Sequence, residues 1–235
     1  MSSYVKDWLS YLRGVRIGTA YSTDGWRMPL DAVDVAWMCR ALAGESSGII
    51  GPPSDAVAAV LIQRTYALRD ERFERRDGRM VGPMARVWEV ALSFAQPINP
   101  YWRDRGRDDQ IEDRHKYAVM GPAQTEREYP GLIAHVLDIF RGKVSLLPYT
   151  GLVDFNAVWV GEGGTGPADA YYGGNKFFYG FGSRSWERGR VKCAPVTHGK
   201  GSKLLVPLSL QIGAGLAVAF GPKWGALAAI PILPP

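Results

Sequence analysis

"WMCRALAGESSG" (residues 37 to 48), followed at once by "IIGPPSDAVAAVLIQR" (residues 49 to 64), is the stretch on which the fold turns. An apolar run with helical spacing reaches Ala43, and a second begins within ten residues. A lone carboxylate, Glu45, sits at the seam. From Leu30 to Ala43 the spacing predicts a mostly buried helix, with Val33, Trp37 and Ala41 as one stripe and Met38 and Leu42 beside it. Asp31 and Asp34 fall in its first turn, where the helix dipole favours anions. Glycines and prolines between 48 and 53 stop this helix and start the next. The second helix is predicted over residues 54 to 69, with Ser54 as N-cap and Val57, Val60, Leu61 and Tyr66 as its apolar positions. Glu45 at this junction is a capping group, a solvated loop charge or a catalytic acid.

Working outward, residues 82 to 95 predict a third helix with Pro83 near its start, and residues 126 to 142 a fourth, ending at Gly142. The charged runs 69 to 79 and 104 to 116 read as solvated helix ends or loops. After Gly142, β-branched and aromatic residues among Gly-rich turns predict short strands or ordered loops. Upstream, Val5, Trp8, Leu9 and Leu12 follow helical spacing, and this amphipathic helix needs something to dock on. Charges interrupt the N-terminus, so no signal peptide is expected there. Residues 204 to 235 carry a single charge, Lys223. Their uncharged stretch approaches bilayer-spanning length, but Pro207 and Pro222 would break a membrane helix. The expected class is α+β, mainly α. Its expected parts are an N-terminal docking segment (1–29), a helical domain with strands or loops in its second half (30–184), and a basic linker with an apolar assembly tail (185–235).

Of the 235 residues, 46% are hydrophobic and 22% charged, which excludes a disordered chain. The net charge of +5 suits an anionic partner, but it is interleaved with acids and accompanied by no nucleic-acid reading motif. Cys39 and Cys193 lie far apart and form no metal-binding pattern. Nor do His115, His135 and His198, so neither metal nor cofactor is expected.

Gly44-Glu45-Ser46-Ser47-Gly48 fits the G-x-S-x-G nucleophile elbow, but that motif needs a strand before the Ser and a helix straight after it. Here a helix pattern precedes it. Glu45 fits another chemistry. A general acid needs a carboxyl partly withdrawn from water, and the end of a buried helix walled by a second one supplies that setting. Glycosidic cleavage uses such an acid to protonate the leaving oxygen.

These same residues carry a resemblance. "WMCRALAGESSG" followed by "DAVAAVLIQR" resembles the opening of SleB-type cell wall hydrolases, which read roughly L-A-R-x-I-x-x-E-A-x-G-E and then A-V-A-x-V-x-x-N-R. "FAQPINPYW" and "GGNKFFYGFG" look like the phage and prophage versions of that domain. The resemblance spans about residues 30 to 180. It implies a lysozyme-like fold of the lytic transglycosylase kind, with Glu45 as catalytic acid. Ser46, Gln63 and Tyr179 then fall where substrate-binding residues or partners of Glu45 would sit, although each fits a structural role equally well. Gln63 stands where the family has Asn, whereas Arg64 is kept. Asp55 and Asp154 are the candidates for a second acid, which a transglycosylase does not require.

The resemblance implies cleavage of the bond between N-acetylmuramic acid and N-acetylglucosamine in peptidoglycan. It implies a virion-associated protein that partners phage tail or ejection proteins and acts in the host cell wall or periplasm. Membrane contact through the apolar tail is one further expectation. The rivals are a structural virion protein retaining an inactive lysozyme-like fold, which the Gln63 departure favours, and a serine hydrolase with Ser46 as nucleophile.

Overall fold

The computed structural model describes residues 3–22, 25–70, 73–74, 80–81, 83–94, 116–157, 168–178 and 196–198. Among these the chain is mixed helix and strand, with helix predominating. Tyr179, His115, Cys193, the Q-P-x-N-P-x-W segment and the apolar tail lie outside the described residues.

Helix α1 spans Ser3–Tyr11 and is followed by antiparallel strands β1 (Gly18–Tyr21) and β2 (Arg27–Leu30). Part of the apolar face of α1 finds its partner within the chain, Trp8 and Leu12 being buried while Leu9 stays exposed. Trp8 is fully buried in the core, and its indole Nε1 donates to the Met120 carbonyl at 3.1 Å. The buried Arg40 donates its Nε to the same oxygen at 3.0 Å and lies over the Trp37 ring.

Helix α2 spans Ala32–Glu45, so Glu45 is its last residue and not the start of a loop. Asp31 and Asp34 form a reciprocal capping box at its N-terminus, as their placement suggests. Helix α3 (Pro52–Ala67) begins earlier than expected. Proline suits a first helical turn because its missing N–H would be orphaned there anyway. Gly51 therefore holds the N-cap and Ser54 lies inside the helix.

Every residue of α3 from Ser54 to Tyr66 is buried, which makes it the central helix of the domain. Helices α2 and α4 (Val87–Phe94), a 3-10 turn (Leu147–Tyr149) and the second-half strands pack around it. The fourth helix predicted over residues 126 to 142 is two helices, α5 (Pro122–Glu128) and α6 (Leu132–Phe140). Pro130 has no N–H to continue the helix, and Gly131 turns left-handed at φ +81°.

Strand β3 (Phe73–Glu74), inside the first charged run where a solvated helix end or loop was expected, pairs with β4 (Met80–Val81) just beyond it. Strands β5 (Asp154–Ala157), β6 (Ala170–Tyr172) and β7 (Asn175–Phe178) form an antiparallel sheet in the order β5-β7-β6. Strand β8 (Val196–His198) pairs antiparallel with β1 and completes the N-terminal sheet, in the order β2-β1-β8. No helix among the described residues is long and apolar enough to cross a membrane.

Candidate functional site

Glu45 ends α2 at a half-buried position, and the chain reverses immediately after it. Ser47 (φ +53°) and Gly48 (φ +63°) are both left-handed, and the Gly48 amide returns to the Leu42 carbonyl at 3.1 Å. Gly48 is sterically required. A Cβ there would lie 2.3 Å from the Tyr129 ring. The turn is what brings the start of α3 beneath the end of α2.

Two long-range partners frame Glu45. The Asn175 side chain on β7 donates its Nδ2 to the Glu45 carbonyl oxygen at 3.1 Å, across 130 residues. Burial lowers the pKa of Arg64 on α3, against the opposing pull of Asp154 and then of the Glu45 carboxylate. Arg64 forms an ion pair with Asp154 at the start of β5 and donates its Nε to the Val153 carbonyl at 2.6 Å. The Arg64 charge is therefore shared between Asp154 and the Glu45 carboxylate.

Ser46 and Gln63 are both engaged in hydrogen bonds within the fold. The Ser46 hydroxyl donates to the Leu42 carbonyl at 2.7 Å and lies 2.9 Å from the Ser54 hydroxyl, which in turn reaches the Ile49 carbonyl. These contacts lock the helix junction. Among the described residues no histidine is hydrogen-bonded to Ser46, and His135 is engaged with Asp55. Gln63 is 1% exposed. Its Nε2 hydrogens are shared among the carbonyls of Ala59, Tyr149 and Leu152 at 2.9–3.2 Å, and its Oε1 accepts from the Gly151 amide. Gln63 thus anchors residues 149 to 152, the approach to the strand that supplies Asp154.

Of the two candidate second acids, Asp154 is brought to the Glu45 side through Arg64. Asp55 instead pairs with His135 Nε2 at 2.8 Å, tying the first turn of α3 to α6. Beside this pair, burial, then Asp55 and Tyr172, push the Tyr149 phenol up to about 12. Tyr149, Tyr172, Phe177 and Phe155 form a chain of ring contacts 5.0–5.5 Å between centroids. This aromatic wall joins the sheet to the 3-10 turn that packs on α3.

Asn175 was missed by sequence reasoning. Its one signal is position, a polar residue directly after the Gly173-Gly174 turn, opening a strand that ends in Phe177 and Phe178. The β1–β2 hairpin was missed as well, despite the Ser-Thr-Asp-Gly turn composition between its strands. Cys39 is buried and its thiol is pushed well above the usual range by burial. Among the described residues no group of three or more His, Cys, Asp or Glu side chains is arranged to hold a metal ion. No model of a known protein family matches the chain, and no curated protein or solved structure is significantly similar to it.

Proposed function

We propose that the chain cleaves the glycan strands of peptidoglycan, as a lytic transglycosylase or lysozyme, with Glu45 as the acid. The observation that carries this reading is the half-buried carboxyl at a locked helix junction, framed by Asn175 and by the Arg64–Asp154 pair. In the first step the Glu45 carboxyl gives its proton to the glycosidic oxygen as the bond to the muramyl C1 breaks. In the second, the resulting carboxylate takes a proton from the muramyl 6-hydroxyl while that oxygen bonds to C1, giving a 1,6-anhydro end. In a lysozyme a water takes the place of the 6-hydroxyl and leaves a reducing end.

The departure at residue 63 does not weigh against activity on this reading. Gln63 anchors a loop from within the core, so its identity bears on the scaffold and not on the sugar. The accompanying proposal is a virion protein that opens the host wall during genome entry, with phage tail or ejection proteins as partners.

The test is release of muropeptides from purified peptidoglycan, read by mass spectrometry. Glu45→Gln is expected to lower the rate by at least about a hundredfold, the usual loss for a general acid. Anhydro-muramyl ends identify a transglycosylase and reducing ends a hydrolase. Equal rates for wild type and Glu45→Gln sink the proposal, and loss of activity in Ser46→Ala with an intact fold would favour the serine hydrolase instead.

A further inference from the structure

We infer that Asn175 is the positioning residue for the Glu45 carboxyl, and that the β6–β7 hairpin is the element that aims the acid; this rests on the reading of Glu45 given above. A helix leaves its last carbonyls without intrahelical donors, and the Glu45 carbonyl is one of them. The amides of Ser46 and Gly48 both return to Leu42, and that of Ile49 returns to Ser46. Asn175 supplies a donor to the Glu45 carbonyl from another part of the chain, at 3.1 Å and with its side chain almost wholly buried.

The hairpin that carries Asn175 is itself braced against the junction. Tyr172 and Asn175 face each other across the turn, and Gly173 (φ +58°) packs so tightly that an added Cβ would lie 3.0 Å from Pro53 on α3. One hairpin therefore bears on both helix ends, on α2 through Asn175 and on α3 through Gly173. Tyr172 and Phe177 extend this bracing through ring contacts to Tyr149 and Phe155. Because Ser47 and Gly48 turn left-handed just beyond Glu45, no further helical turn holds its backbone. The Asn175 bond holds in place the end of the helix from which the Glu45 side chain departs.

Steady-state muropeptide release by wild type, Asn175→Ala and Asn175→Asp tests this. Asn175→Ala is expected to lower kcat ten- to a hundredfold with KM within about twofold, the size of effect a small misplacement of a reacting group produces. In a Glu45→Gln background the same change is expected to leave the residual rate unaltered, because it acts only through Glu45. Asn175→Asp cannot donate when ionised but can when protonated, so its rate relative to wild type is expected to recover as pH falls through the carboxyl range. An Asn175→Ala kcat equal to wild type overturns the inference while leaving the glycosidase reading intact. So does an equal proportional loss in the Glu45→Gln background, or an Asn175→Asp ratio that stays flat with pH. A wild-type protein that releases no muropeptides overturns the reading itself, and this inference with it.

Discussion

Replacing Gln63 by alanine is the most direct test of how the site is supported. The side chain lies within the core and joins α3 to the loop leading into β5. Truncation removes donors from the Tyr149 and Leu152 carbonyls and an acceptor from the Gly151 amide. The Ala59 bond, at 3.2 Å, is the longest and adds least, since that carbonyl belongs to a helical turn. Each buried backbone group left without a partner costs about 1–3 kcal/mol. The Tyr149 carbonyl keeps the Leu152 amide at 3.2 Å, so two such groups remain. With some relief from water entering the space vacated, the expected loss is about 2–5 kcal/mol. That is a large fraction of the 5–15 kcal/mol that typically holds a domain together. Urea unfolding followed by circular dichroism at constant slope is the assay. Gln63→Asn, one methylene shorter, should lose an intermediate amount because it cannot span from α3 to both Gly151 and Leu152. A Gln63→Ala protein within about 1 kcal/mol of wild type would refute the argument that this side chain holds the loop.

Two other perturbations probe the helix ends. Burial pushes the Asp34 carboxyl up to about 6 from 3.8, against the pull of Arg86. The folded state therefore holds a proton that the unfolded chain releases. Its contribution is fully present below pH 3.8 and is lost as pH rises through about 6. Thermal melts between pH 4 and 7 should show this decline in wild type and a flatter profile in Asp34→Asn; parallel profiles would refute it. At the turn after Glu45, Gly48→Ala combines a left-handed alanine with displacement of the Tyr129 ring and should cost about 2–4 kcal/mol. Gly14→Ala, also left-handed but with open space around it, should cost only about 1–2 kcal/mol. Equal losses at the two sites would show that the Tyr129 contact carries no weight.

What could be read from the sequence follows the range of the interactions involved. The cores of α2 and α3 were legible because a buried helix writes its spacing into consecutive turns, and Asp31 and Asp34 marked the start of α2 by their charge, although their reciprocal capping was not read. The start of α3 was misread because Ser54 is a good N-cap by type, while two prolines before it had already set the helical φ. The helix over residues 126 to 142 kept its apolar period across a break, so the period hid what Pro130 and Gly131 did to the backbone. Strands β1 and β2 are four residues each, too short for alternation to stand out. Glu45 could be singled out from its neighbours, but Asn175 could not, and neither could the Arg64–Asp154 pair. Those contacts join residues 90 and 130 positions apart, and no local pattern encodes them.

The pairing of β8 with β1 has a consequence for how the protein is made. Tyr21 meets Val196 across about 175 residues of intervening chain, and at typical synthesis rates that separation takes on the order of ten to thirty seconds to traverse. During that interval one side of β1 can bond to β2, and its other side has no native partner. Such an edge invites pairing with a neighbouring nascent chain. At four residues, Gly18 to Tyr21, it offers a very short template for doing so. The N-terminal sheet is therefore among the last parts of this molecule to close, and its brevity protects the chain while it waits on the ribosome.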